Sequence, residues 1–241
     1  MKKLLLLLVS ALPLMAVTAD AIIKSVQHNL QSDSGYSRIT MTVTTSRGER
    51  TMRMESWNRG NEKSFIKILY PKKDRGITFL KIDTTMWQYV PKIEKTIKIP
   101  SSMMMQSWMG SDFTNDDMAK ESSIVDDYTA VLTAEDETTY TLTLLPKEDA
   151  AVVWGKIVME VAKAHFEPLK AVYYDEDDVE QRVLYYSEVK AYGTHYLPTV
   201  MTLIPSDKQH NRTVVVMDAV DFDAAIDDSR FTKSALRRYS R

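Results

Sequence analysis

The chain has 241 residues, 44% of them hydrophobic, with 31 Lys and Arg against 33 Asp and Glu and no cysteine. The near-balanced charge leaves no basic footprint for nucleic acid. The missing cysteines exclude disulfides and thiolate chemistry.

The N-terminus, MKKLLLLLVSALPLMAVTAD, places Lys2 and Lys3 before an apolar run from Leu4 to Ala16, then the small residues Val17-Thr18-Ala19. That order predicts a secretory signal peptide cleaved after Ala19. An uncleaved anchor is the alternative, although the run falls short of the ~20 residues that span a bilayer. Removing residues 1–19 takes away two lysines and no acids, moving the net charge from −2 to −4. No cysteine follows, so no lipid-anchored N-terminus is expected. A single domain over residues 20–241 is expected, about 220 residues being enough for one good core.

Asp20 to Leu30 reads as a helix capped by Asp20, with Ile22, Ile23, Val26 and Leu30 on one stripe. Short alternating segments then recur about every ten residues, separated by turns such as Ser46-Arg47-Gly48, Asn58-Arg59-Gly60-Asn61 and PKKDRG at 71–76. They continue from Tyr128 to Val220 and make about twelve strands. Pro198 marks an edge or bulge within its strand. Short helices are expected over Asp112–Lys120 and Asp227–Arg238. Up-and-down neighbours with short turns predict one strongly curved antiparallel sheet, a barrel or an incomplete barrel, with helices over its open side.

The stretch Ile99–Phe113, IPSSMMMQSWMGSDF, interrupts this pattern with Met103, Met104, Met105, Trp108 and Met109. Ser101 or Ser102 could cap a short helix there and Gly110 end it. Methionine repacks around apolar guests of varied shape. The segment is either a mobile lid over a cavity or a helix packed permanently on the sheet.

Catalytic and metal chemistry is not legible. His28, His165, His195 and His210 are scattered, and no HExxH, GxSxG, P-loop or GxGxxG occurs. Asp175-Glu176-Asp177-Asp178 lacks EF-hand spacing and reads as a hairpin turn. Asp112, Asp116 and Asp117 suit a helix N-terminus without a metal.

Several strands are apolar on both faces, as in Phe65–Tyr70, Ile77–Ile82 and Met86–Val90. Either both faces are covered, or one lines a pocket for an apolar ligand. A carrier of that kind needs no catalytic residue. Each buried CH₂ contributes about 0.8 kcal/mol, so a sixteen-carbon acyl chain resists entering water by about 12 kcal/mol.

The runs Ser56-Trp57-Asn58-Arg59-Gly60, Ser64–Pro71, Asp74–Ile82, Trp87-Gln88-Tyr89-Val90-Pro91, Ile97–Pro100 and Gln106–Phe113, with Tyr173-Tyr174-Asp175 and Leu197-Pro198-Thr199, resemble the outer-membrane lipoprotein-sorting protein family, a branch of the LolA-like superfamily. The resemblance implies an incomplete antiparallel β-barrel with a short-helix lid and an N-terminal helix, working in the periplasm. It implies a hydrophobic cavity for acyl chains of lipoproteins or other lipids. It also implies transient membrane contact, a partner among inner-membrane exporters of the resistance-nodulation-division type and an outer-membrane acceptor. Neither a cofactor nor a metal is implied. The expected apolar lining is Trp57, Ile66, Ile68, Phe79, Leu80, Trp87, Tyr89, Met103, Met104, Met105, Trp108, Met109 and Phe113. Arg59, two after Trp57, is the nearest match to the arginine that holds the lid shut in LolA carriers, with an exposed turn residue as the plainer alternative. A lipid or lipoprotein sensor signalling to a membrane regulator, and a lipid hydrolase, are the competing functional classes.

Overall fold

A computed structural model describes residues 17–120, 124–208 and 210–241. The predicted signal peptide lies outside the described residues up to position 16. Helix α1 spans Ala19–Leu30, and its cap is Thr18, whose side chain accepts from the Ala21 amide, in place of Asp20. The predicted stripe holds: Ile22, Ile23 and Val26 are buried, and Leu30 is half-buried. None of the described helices is long and apolar enough to cross a membrane.

Six strands follow as an antiparallel meander: β1 (Ser34–Thr45), β2 (Gly48–Arg59), β3 (Lys63–Tyr70), β4 (Thr78–Ile82), β5 (Thr85–Val90) and β6 (Lys95–Lys98). A second meander holds β7 (Tyr128–Glu135), β8 (Thr139–Pro146), β9 (Lys156–Ala162), β10 (Pro168–Tyr174), β11 (Glu180–Tyr192), β12 (His195–Pro205) and β13 (Arg212–Asp221). Antiparallel pairing of β1 with β13 joins the two into one thirteen-stranded sheet. The sheet does not close, and β6 and β7 are its free edges. The incomplete barrel expected from sequence is therefore the fold. Pro198 pairs with Val189 of β11 but lies beyond the stretch of β12 paired with β13, which runs from Val200 to Leu203, so its missing N–H takes nothing from the β12–β13 ladder.

The described chain between the two free edges, residues 99–120 and 124–127, lies on the open side. It contains the Met-rich stretch, helix α2 (Asn115–Lys120) and helix α3 (Ile124–Asp127). The Met-rich stretch is not one helix. It forms two single 3₁₀ turns, Ser101–Met103 and Trp108–Gly110, with Met109 at φ 50° and Gly110 at φ 72°. These left-handed conformations end any helix there.

The chain finishes with a 3₁₀ turn, Asp228–Phe231, and helix α4 (Lys233–Arg238). This C-terminal segment packs on the outer face of β3–β5, where Phe231, Ala235 and Leu236 bury Phe65, Leu80 and Tyr89. The inner face of the same strands carries Ile66, Ile68, Phe79 and Met86 against Trp108. Strands β3–β5 thus lie between two covers, which is why they read as apolar on both faces.

Candidate functional site

Residues from β1–β4 and from β9–β13 line one cavity of about 350 Å³, so the sheet curls until its two halves face each other. That volume lies within the range of small-molecule sites. Helices α1, α2 and α3 form the roof. Ile23, Val26 and Leu30 come from α1, Met118 from α2, and Ile124 and Val125 from α3. The wall includes Ile39, Met41 and Met54 from the first meander and Leu184, Met201 and Val215 from the second. A polar rim gathers where the β2–β3 turn meets the end of α1. There Asn58 donates to the Ser32 carbonyl at 3.1 Å, and Lys81, itself buried, donates to the Asn61 carbonyl at 2.7 Å.

Gly35 sits in this rim, where a larger residue would displace two polar side chains. A Cβ would lie 2.3 Å from Ser32 Oγ and 2.4 Å from Asn58 Oδ1.

A buried ion pair faces the cavity. Arg182 of β11 meets Asp117 of α2 through two bonds, Nη1–Oδ2 at 2.7 Å and Nη2–Oδ1 at 2.6 Å. The guanidinium carbon lies 4.3 Å from the Trp154 ring centroid and 4.5 Å from that of Tyr173. Burial disfavours the Arg182 charge, but the hydrogen bonds and charge of Asp117 more than offset it, and the group is held above its ordinary value. Asp117 also accepts from the Thr114 amide at 2.7 Å, so one carboxylate caps α2 and ties it to the sheet. Burial raises the phenol of Tyr173, with the nearby Arg182 charge opposing. Burial also raises that of Tyr128, whose hydroxyl donates to the Trp154 carbonyl at 3.2 Å.

The predicted lining divides into four groups. Ile66 and Phe113 line the cavity. Ile68, Phe79, Met104, Trp108 and Met109 share its face but form a solid plug beside it, with the fully buried Trp108 ring 5.2 Å from Phe79. Trp57, Leu80, Trp87 and Tyr89 are corrected: they point to the outer face and pack on or beside the C-terminal segment. Met103 and Met105 are corrected as well, being 37% and 52% exposed to solvent.

The Met-rich stretch is fastened at several points. Arg50 donates to the Met109 carbonyl, Asn115 to the Met103 carbonyl at 2.9 Å, and Thr213 to the Asp112 carboxylate at 2.7 Å. Arg59 is corrected as a latch on this stretch. It donates to the Ile226 carbonyl at 2.8 Å and pairs with Asp228 at 3.1 Å, both in the C-terminal segment. The arginine bonded to helix α2 of the roof is Arg182.

Sequence reasoning missed Arg182, the α1 contribution and the whole second meander. The available signal was alternation, as in Ile157, Met159 and Val161, all buried. Of the scattered histidines, His28 stacks on His195 at 4.2 Å and His195 on Phe222 at 4.0 Å, fastening the end of α1 to β12. Asp175 accepts from the amides of Asp177 and Val179, the hairpin-turn role expected of the acid run. Among the described residues, no group of three or more His, Asp or Glu is placed to hold a metal ion.

A protein-family model described as "Uncharacterized protein" matches residues 60–238. A search of curated proteins gives no match. Among solved structures, a DUF1329-family protein from Desulfovibrio piger is 22% identical, with a TM-score of 0.83 over 90% of this chain and 97% of that one. An outer-membrane lipoprotein-sorting protein domain from Vibrio parahaemolyticus is 18% identical, at 0.79 over 91% and 98%. A LolA-superfamily protein from Nitrosomonas europaea is 22% identical, at 0.77 over 91% and 100%. Identities this low establish a shared fold.

Proposed function

The chain belongs to the family matched over residues 60–238 and has the fold of LolA-superfamily and lipoprotein-sorting domains; from that premise we propose that it is a periplasmic carrier that shelters acyl chains of lipoproteins or other lipids. One observation carries this reading: a cavity of about 350 Å³, largely apolar, lies between the halves of an open sheet under a helical roof. A chain whose interior were filled by its own side chains would have no place for cargo. The reading includes a signal peptide cleaved after Ala19, transient membrane contact, and shuttling toward the outer membrane with an inner-membrane exporter of the resistance-nodulation-division type. It assigns no catalytic residue.

The cavity favours a chain-like guest with one polar end. Its walls supply apolar contact, and its rim supplies Lys81, Asn58 and nearby serines for a headgroup. The test is mass spectrometry of lipid extracted from gently purified protein, together with uptake of a fluorescent fatty acid. Stoichiometric lipid and saturable uptake are expected, and uptake should fall when Met201→Trp fills the wall. Purified protein that carries no lipid and takes up no probe would exclude the carrier reading.

A further inference from the structure

The free edge at β6 combines two features that rarely coincide on a freely soluble surface. All four residues of the strand are exposed. From Lys92 to Met105 the edge shows Ile93, Ile97, Met103 and Met105 to solvent, at 54%, 40%, 37% and 52% exposure. Lysines at positions 92, 95 and 98 alternate with them, all exposed. Edge lysines alone are explained as protection against strand-to-strand aggregation. Exposed isoleucine and methionine on the same edge work against that protection.

The surroundings add charge of one sign. The β3–β4 turn abuts the start of this edge, since a Cβ on Gly76 would lie 3.4 Å from the Pro91 ring. Ser240 donates to the Gly76 carbonyl at 2.7 Å, which brings in the C-terminus. Lys233 of α4 lies 4.7 Å from the ring of Trp87, the residue paired with Lys98. The three segments that meet here, 67–76, 91–98 and 233–241, hold eleven Lys and Arg against two acids, in a chain with 31 against 33 overall. A protein of slightly negative net charge has thus collected a strongly positive face beside its exposed apolar edge.

We propose that this edge docks on a bilayer surface containing anionic phospholipid. Ile93, Ile97, Met103 and Met105 enter the headgroup region, and the basic segments meet the phosphates. The opposite free edge does not share the composition, because β7 ends in Ala134-Glu135 and leads to Asp136 and Glu137. Docking at β6 would bring the segment that leaves this edge at residue 99, and with it the α2 part of the cavity roof, to the membrane. The proposal gives a surface to the membrane contact of the carrier reading and can be tested apart from it.

The test is flotation of the mature protein with phosphatidylcholine vesicles, with and without about one-third phosphatidylglycerol. Binding is expected only with phosphatidylglycerol, and it should weaken as salt shortens the range of the attraction. Lys92→Gln/Lys95→Gln/Lys98→Gln should weaken binding about 100-fold, at about fivefold per lysine. Ile97→Ser/Met105→Ser should also weaken it, with less change in its salt dependence. Fatty-acid uptake by these variants should match wild type, because none of the five side chains lines the cavity. Phosphatidylglycerol-dependent binding with no lipid uptake would remove the carrier reading and leave this proposal standing. Binding that ignores phosphatidylglycerol, binding unchanged in both variants, or binding only to vesicles carrying a membrane protein would overturn it.

Discussion

Asp117 and Arg182 form a two-bonded ion pair at 2.7 and 2.6 Å, with side chains 15% and 8% exposed, across the gap between the cavity roof and the sheet. The pair belongs to both structure and access. Its carboxylate caps α2, and its guanidinium packs against the rings of Trp154 and Tyr173 on the sheet side. Opening the roof at α2 means parting these groups.

Removing one partner leaves the other buried and uncompensated, which costs about 3–5 kcal/mol in comparable sites. Asp117→Asn and Arg182→Gln are therefore expected to destabilise the protein by a few kcal/mol in urea unfolding. They should also speed exchange of a bound fluorescent fatty acid. A double substitution to neutral residues should recover part of the stability but not the slow exchange. Destabilisation without faster exchange would make the pair purely structural.

Alkaline stability should depend on Tyr128 and Tyr173. Burial raises both phenols above their ordinary value of 10.0 in the folded chain. As pH climbs above 10, the unfolded chain ionises these groups while the folded chain does not. Their contribution is complete below 10 and is lost as pH rises, at up to about 1.4 kcal/mol per pH unit for each group. Denaturant midpoints measured from pH 8 to 11 should fall steeply above 10 in wild type and less steeply in Tyr128→Phe/Tyr173→Phe.

Trp108 is fully buried against Phe79, and its backbone amide donates to the Phe113 carbonyl at 2.7 Å. Trp108→Ala should cost about 3–5 kcal/mol. It should also join the space of the plug to the cavity, so that bulkier acyl probes bind the variant relative to wild type. Equal preference for slim and bulky probes in both proteins would show the plug to be separate from the site.

Arg50 and Arg59 should act on different regions. Arg50 bonds the Met109 carbonyl and Arg59 the Ile226 carbonyl. In amide hydrogen exchange, Arg50→Ala should lower protection across residues 103–113 and leave 226–238 unchanged, and Arg59→Ala should do the reverse. The same pattern for both variants would contradict the separation.

Much of the architecture could be read from local order. Apolar alternation broken by Gly, Asn and Asp turns every ten residues marked nearly every strand, and the Ile22–Val26 stripe marked α1. The site was less legible. Trp57, Leu80, Trp87 and Tyr89 differ from Ile66 and Phe79 only in strand parity, and a shift of one residue exchanges the faces. Parity could not be resolved because β3–β5 are covered twice, by Trp108 within and by Leu236 without. Arg182 gave no local signal, since its partner Asp117 is 65 positions away.

By itself the sequence settled what depends on neighbours along the chain: strands, turns and the composition that makes an open antiparallel sheet with apolar faces. Tertiary structure alone decided which face holds the cavity, which arginine fastens its roof, and that the Met-rich stretch splits into a buried plug and an exposed edge. These depend on contacts between residues dozens of positions apart. Such contacts are set by how the two meanders curl toward each other, and no short-range pattern records that.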